Sequence, residues 1–500
     1  MTDLLIALPL LIPLTIFVLQ ILLRERPQLV DLISLLGSGA LLLTCILLAS
    51  RVFSDGAQFM QLGAWKAPFG ITFVADPLSV TMLTVSNLIV FVIAIYRLGD
   101  SPDERRSPYA PALTQGLIFG VNGAFLTGDL FNLFVWFEVM LMASFALCAL
   151  GSKRSQREAA LKYLVLNFLS SAFFLIGVGL LYAQIGTLNM ADLVEKIRQL
   201  PASNSLLPPA FFLFVAFSIK TALFPLFSWL PASYPTLPDA LGALFGGLLT
   251  KVGVYVFYRV FGMIIPLHEL ALDDLLLWIS VATMVIGVLG AAAHYEMRKI
   301  LSVHIVSQVG YMTLALAWGT PTALTAGILY TLHNMIVKTN LFLVCGTVRQ
   351  TKGTAELKLL GGIYAQLPFI SVLFALSAFS LAGLPPLSGF FAKFTLIRAG
   401  LSIEAYLTTT AAMLVGVLTL FSMTKIWAEV FWKNPTTQGP STEKKQTPIF
   451  HRLAISLLTL AMLSFTLLPH SIWNMCERAA ESLIHPRSYS KPILTSHDRL

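Results

Sequence analysis

Apolar runs long enough to cross a bilayer recur from one end of the chain to the other. A membrane-spanning helix needs about 20 predominantly apolar residues. Fourteen such segments can be laid on the sequence, at roughly 3–23, 28–50, 77–97, 109–127, 130–150, 161–183, 206–228, 239–260, 272–293, 300–318, 322–346, 368–397, 405–431 and 451–472. The expected fold class is therefore an all-α polytopic membrane protein of about fourteen helices. The spans take up roughly 290 of the 500 residues, which leaves no room for a separate soluble domain.

Composition narrows the function. Hydrophobic types make up 56% of the chain and charged types 12%, about half the charged share of a soluble domain. An ordinary soluble enzyme and a disordered chain are excluded. The net charge is +8, but no basic stripe carries the excess, so nucleic acid is not an expected partner and membrane lipid is. Cys45, Cys148, Cys345 and Cys476 are far apart and read as small packing residues. No Cys or His spacing suits a metal. No phosphate-binding glycine loop, haem pattern or iron–sulfur pattern occurs, so neither cofactor nor metal is expected.

Leu4–Leu23 is preceded by Asp3 and no basic residue, and no small-residue cleavage site follows, so the first run is expected to remain as a helix. Segment 59–76 is broken by Gly63, Pro68 and Gly70 and alternates like a small surface β-hairpin. Segment 433–450 reads as a polar loop, and the tail beyond about 473 as polar and featureless. Eighteen Lys and Arg residues fall in odd-numbered connections and five in even-numbered ones. The positive-inside bias then puts odd connections in the cytoplasm and both termini outside, although Arg478, Arg487, Lys491 and Arg499 in the tail run against it.

The informative residues are ionisable ones inside apolar spans, each costing about 2.5–3.5 kcal/mol or more near the bilayer centre. Glu138 lies nine residues into span 5, Lys220 mid-span 7 and Lys251 mid-span 8. His333 and Lys338 share span 11, five residues apart and so on different faces, and Lys393 lies in span 12. His304, a turn from the start of span 10, is ordinarily a packing or interfacial histidine. Lys425, late in span 13, is ordinarily a lysine that snorkels to the interface.

Helix breaks accompany these charges. Pro225 follows Lys220 by five residues, and Gly383, Pro385, Pro386 and Gly389 precede Lys393. Irregular backbone at membrane depth is tolerated where it is buried or lines a wet cavity. Paired interruptions in corresponding halves are a mark of inverted-repeat transporters. Spans 4–8 and 9–13 are expected to form two inverted five-helix repeats, broken at helices 7 and 12. The corresponding divisions are 1–107, 108–262, 263–432 and 433–500. Buried lysines, an acid and histidines suit proton handling, because a nearby charge governs whether a buried amine holds its proton.

Several stretches have a family look: FNLFVWFEVMLMASFAL (131–147), FSIKTALFPLFSWLPASYPTLPDALGALFGGLLTKVGVYVFYR (217–259), HNMIVKTNLFL (333–343) and GLPPLSGFFAKF (383–394). Over nearly the whole chain the sequence resembles the antiporter-like subunits shared by respiratory complex I and the Mrp multisubunit cation/proton antiporters. The VWFEVML context of Glu138, the length and the lysine at 393 favour the D-type branch of the Mrp subunits. The resemblance implies a central hydrophilic axis. In it Glu138 and Lys220 form the input pair, Lys251 and His333 connect, and Lys393 is the exit-side lysine; Lys338 and Lys425 fit that axis less closely. It also implies a bacterial cell-membrane complex that exchanges Na⁺ (or K⁺ or Li⁺) for H⁺ under the proton motive force. The partners are then further subunits, and the chain is a transporter subunit rather than an enzyme. Two rival readings are a proton-translocating subunit of an NADH:quinone oxidoreductase and a scaffold whose buried charges hold neighbours together.

Overall fold

In a computed structural model of the protein, the described residues are 2–65, 67–101, 104, 105, 107–151, 153–200, 205–434 and 447–495. The chain runs α1 (Thr2–Leu22), α2 (Pro27–Asp55), β1 (Gln58–Gln61), β2 (Thr72–Ala75), α3 (Pro77–Arg97), α4 (Ala110–Leu126), α5 (Leu130–Ala149) and α6 (Arg154–Ile185). A short α7 (Met190–Ile197) precedes α8 (Leu207–Thr221), α9 (Trp229–Ser233) and α10 (Asp239–Arg259). Then come α11 (Leu272–Ala293), α12 (Met297–Trp318), α13 (Pro321–Lys352), α14 (Ile363–Gln366), α15 (Pro368–Ala382), α16 (Ser388–Ser402) and α17 (Tyr406–Ile426). Last are α18 (Ile449–Leu467), α19 (Pro469–Ile484) and α20 (Arg487–Leu494).

Among the described residues, eleven helices are long and apolar enough to cross a membrane, and α4, α8 and α15 are shorter apolar helices. These fourteen match the fourteen expected spans. The short ones include the two broken crossings, completed by α9 after α8 and by α16 after α15. Helix starts follow local chemistry. Asp76 caps α3 by accepting from Ser79 N at 2.9 Å, while the Ser79 hydroxyl accepts from Asp76 N at 2.8 Å. Asp129 caps α5 through Asn132 N at 2.7 Å, and Thr320 caps α13 ahead of Pro321.

The helices sort by polarity rather than by hydropathy alone. The apolar windows of α10 and α13 are wholly buried and that of α12 almost so, whereas α1, α2, α6, α11, α17 and α18 keep most of theirs on the outside. In a bilayer an apolar face needs no partner, but a polar group does. The helices carrying Lys251, His304, His333 and Lys338 therefore occupy the centre.

The two five-helix segments carry matching clasps at opposite ends. Leu130 N donates to Leu188 O at 2.9 Å and Met190 N to Gly128 O at 2.8 Å, tying the start of α5 to the chain beyond α6. Met297 N donates to Ala355 O at 3.0 Å and Leu357 N to Tyr295 O at 2.8 Å, tying the start of α12 to the chain beyond α13. The first clasp joins even-numbered connections and the second odd-numbered ones, so they sit on opposite faces. That is the relation an inverted repeat requires.

Three expectations are corrected. The hairpin forms (β1 pairs antiparallel with β2), but β2 is buried throughout, and its Thr72 carbonyl accepts from Gly128 N at 2.8 Å. It packs into the fold rather than on the surface. The sixth span begins at Arg154, well before 161, because its charged first turns project beyond the apolar stretch. The tail is not featureless: α19 and α20 dock on the body through Cys476, Ala479, Ala480, Leu483, Tyr489 and Ile493, all buried. The spacing Cys476, Ala479, Ala480, Leu483 is the period of an amphipathic helix, a signal hidden by the charged residues between. Most of the expected 433–450 loop, residues 435–446, lies outside the described residues.

α20 closes over a buried ion pair. Arg259, near the end of α10, makes two hydrogen bonds of 2.7 Å to the Asp76 carboxylate, and the Tyr489 ring lies 5.2 Å from its guanidinium. Breaking a buried pair by removing one charge costs about 3–5 kcal/mol. Asp76→Asn is therefore expected to lower the melting temperature of the purified protein markedly. A melting temperature equal to wild type would contradict this role.

Candidate functional site

The candidate site begins on α5 and α8. Lys220 occupies the last turn of α8, which ends because Ala222 turns left-handed (φ 65) ahead of Pro225. The carbonyls freed there find partners: Leu223 N donates to Ser218 O at 2.9 Å and Trp229 Nε1 to Ile219 O at 2.9 Å. Phe224 N donates to Thr283 Oγ1 at 2.9 Å, fastening this break to α11 of the other half. Lys220 Nζ donates to Asn167 O at 3.4 Å and lies 5.5 Å from the Phe137 ring centre. Glu138 is within electrostatic range of Lys220 without forming an ion pair, and its buried Oε1 has no hydrogen-bond partner in the protein.

The middle of the site is built by α10, α12 and α13. Lys251 and Lys338 are 0% exposed. Lys251 Nζ donates to Gly246 O at 2.8 Å, and Lys338 Nζ to Leu301 O at 3.3 Å. Lys338 lies within electrostatic range of both Lys251 and Lys393, and His304 within range of Lys338 and Lys393. His304 is fully buried and neither ring nitrogen has a hydrogen-bond partner; the same holds for both amide atoms of Asn334.

The far end is the α15–α16 break. Gly383 adopts φ +93, which only glycine tolerates readily. Lys393 Nζ donates to Ala382 O at 2.9 Å, a terminal carbonyl of α15 with no helical partner of its own. The Tyr311 ring lies 5.2 Å from the ammonium. His333 Nδ1 is 3.0 Å from Ser388 Oγ, which is 2.9 Å from Ser380 Oγ. Gly389 allows this approach: a Cβ there would fall 1.8 Å from Ser380 O and 2.9 Å from His333 Nε2.

The structure thus brings Glu138 to Lys220, and Lys251, Lys338, His304, Lys393 and His333 to one another. Between Lys220 and Lys251 the link is packing: a Cβ at Gly253 would meet Thr221 Oγ1 at 2.6 Å. Lys425 stands apart. It is half-buried at the odd-numbered face, where it caps α11 through Ala292 O at 2.8 Å and His294 O at 2.6 Å and covers the Tyr295 ring. His304, by contrast, is an interior residue and not an interfacial one. Several polar partners escaped the sequence reading, namely Gln308, Tyr311, Tyr330, Asn334 and Ser388. Tyr330 donates to Gln308 Oε1. Their signal was helical spacing: His304, Gln308 and Tyr311, and likewise Tyr330, Asn334 and Lys338, share one face each.

Ammonium groups buried through both halves of an inverted repeat define a membrane protein that moves ions or protons. The chain belongs to the NADH:quinone oxidoreductase/Mrp antiporter transmembrane family, which matches residues 127–419. The D-type Na⁺/H⁺ antiporter subunit of Alkalihalophilus pseudofirmus is 40% identical over 98% of this chain and 99% of its own length. A chain of the Mrp complex from Dietzia sp. superposes with a TM-score of 0.89 at 30% identity, covering 98% of this chain and 99% of that one. A chain of respiratory complex I from Thermus thermophilus shares the fold, with a TM-score of 0.82 at 22% identity over 99% of this chain and 100% of that one.

A cation held at this depth beside two others carries a desolvation cost. Lys338→Met keeps the side-chain length and removes that cost, so it is expected to raise stability by about 1–4 kcal/mol. A lower melting temperature for the variant would contradict the placement.

Proposed function

We propose that the chain is the proton-conducting subunit of a multisubunit Na⁺/H⁺ antiporter in a bacterial cell membrane, driven by the proton motive force. The observation that carries this reading is the row Lys251–Lys338–Lys393, in which Lys338 lies within electrostatic range of the lysine on either side. Full-length similarity to a D-type antiporter subunit supports the exchange reaction. The complex I reading has the family, whose description covers both kinds of complex, and a likeness of fold, but no full-length relative of comparable identity beside it.

In this reading Glu138 and Lys220 take up the proton, Lys251, Lys338, His304 and His333 relay it, and Lys393 delivers it. An interaction worth about 1.4 kcal/mol changes the protonated-to-neutral ratio of a neighbour tenfold. A proton arriving at one lysine therefore displaces the proton of the next by repulsion, and the carbonyl partners keep each amine in place in either state. Na⁺ (or K⁺ or Li⁺) has no carboxylate cage here: Glu138 is the acid deep in a span, whereas Asp3, Asp31, Asp239, Asp273, Asp274 and Glu429 lie near span ends. The cation route is accordingly shared with partner subunits. The eighteen-to-five charge bias places odd connections in the cytoplasm and both termini outside. Lys425, at the cytoplasmic face, holds the end of α11 and stands outside the relay.

Vesicles containing the assembled complex test this directly. A Na⁺ pulse is expected to move protons without NADH. Glu138→Ala and Lys220→Ala are each expected to cut that movement about 100-fold, the scale of a lost proton-transfer group, while the complex still assembles. Proton movement only with NADH would support the complex I reading, and variants with wild-type exchange would reduce these charges to scaffolding.

A further inference from the structure

A cavity of about 560 Å³ lies between α6, α9 and the start of α12, on the face of the odd-numbered connections. That volume is within the roughly 300–1,000 Å³ of small-molecule sites. Lys162 of α6, Lys299 of α12 and His294, just ahead of α12, line it together with Ala159, Ser228 and Pro231. Both lysines are exposed, and among the described residues neither has an ion-pair partner. The acids at hand are engaged elsewhere. Glu158, also in the lining, pairs with Arg154 at 2.8 Å, and Glu296 caps α12 through Lys299 N at 3.1 Å and pairs with Arg298. A third lysine stands behind His294: Lys425 Nζ donates to His294 O at 2.6 Å. The imidazole keeps an N–H to donate in either protonation state. The lining thus gathers cations and hydrogen-bond donors, the complement of a phosphate. Next to Lys162 on α6, Leu161, Val165 and Phe168 are exposed and form an apolar strip leading away from the cavity. The relay from Glu138 to Lys393 uses none of these residues.

We infer that this cavity holds the phosphate of an anionic phospholipid, whose acyl chains lie over Leu161, Val165 and Phe168. Lys162 and Lys299 supply the charge that holds the phosphate, and His294 and Ser228 donate hydrogen bonds to its oxygens. Two features favour a lipid over a free phosphate ion. The cations sit where α6 passes from its charged first turns to its apolar stretch, and the exposed strip that follows offers a free ion nothing. A basic pocket between membrane helices at a cytoplasmic surface suits such a headgroup, and the charge bias assigns this face to the cytoplasm. Ser228 and Pro231 belong to the stretch that completes the crossing broken after Lys220. A bound headgroup therefore ties that stretch to α6 and α12. The site lies beyond the proton-conducting reading and does not depend on it.

The experiment titrates the purified, delipidated complex with phosphatidylglycerol and counts bound lipid by native mass spectrometry. The wild-type complex is expected to hold a phosphatidylglycerol that the Lys162→Gln/Lys299→Gln double variant binds about 30-fold more weakly, the scale of two lysines at a lipid surface. Lys162→Arg/Lys299→Arg, which keeps both charges, is expected to bind like wild type. Equal affinity in the wild-type complex and the Gln variant would overturn the site. So would equal binding of phosphatidylcholine, whose headgroup carries no net charge, or a loss in the Arg variant as large as in the Gln variant. Displacement of the lipid by inorganic phosphate at the same concentration would make this a site for the free ion and overturn the lipid. The lipid count is read without any Na⁺-driven proton movement, so its failure is distinct from failure of the antiport reading.

Discussion

The cost of holding ammonium groups out of water organises this molecule. Lys220, Lys251, Lys338 and Lys393 are all buried, and Glu138 is the carboxylate within electrostatic reach of the first of them. A buried charge persists only when dipoles or opposite charges replace its hydration. Here backbone carbonyls take that part: Asn167 O, Gly246 O, Leu301 O and Ala382 O each accept from one of the four. Helices α10, α12 and α13 are central because they carry these groups, and the lipid-facing helices are peripheral because their apolar surfaces need no partner.

The helix breaks follow from the same need. An intact helix uses its carbonyls internally, but an interrupted one leaves terminal carbonyls free at membrane depth. Ala382 O, at the end of α15, is such a group and holds Lys393. The inverted repeat produces an interruption in each half, with paired clasps at opposite faces. The halves then diverge. The first places its lysine before the break, beside an acid. The second places its lysine after the break, beside a histidine and two serines. One fold repeated with opposite orientation in the membrane thus yields two chemically different ends joined by a row of cations.

Much of this was legible in the sequence because membrane burial is a severe filter. Runs of twenty apolar residues fixed the helix count, and a lysine at mid-run has few innocent explanations. Pro225 and Gly383 marked the interruptions because their backbone demands are local. What escaped depends on three-dimensional meeting. Asp76 and Arg259 stand at span ends 183 residues apart and look interfacial in sequence, yet form a closed pair. His304 looks interfacial when span 10 begins at residue 300, whereas α12 starts at Met297 and nearly all of its apolar window is buried. Ser388 carries no signal of its own in the sequence, and it meets His333 through a contact between residues 55 apart. The amphipathic period of α19 is masked in sequence by Glu477, Arg478 and Glu481, which are exposed while Cys476, Ala479, Ala480 and Leu483 dock.

These groups act as one wet line rather than as separate buried charges. Ordered water in a high-resolution map of the assembled complex tests it most directly. Waters are expected to join Glu138 Oε1 to Lys220 Nζ, to cross beside the Thr221–Gly253 contact to Lys251, and to link Lys338, His304 and Lys393. A dry, apolar gap between Lys220 and Lys251 in every state of the complex would contradict it.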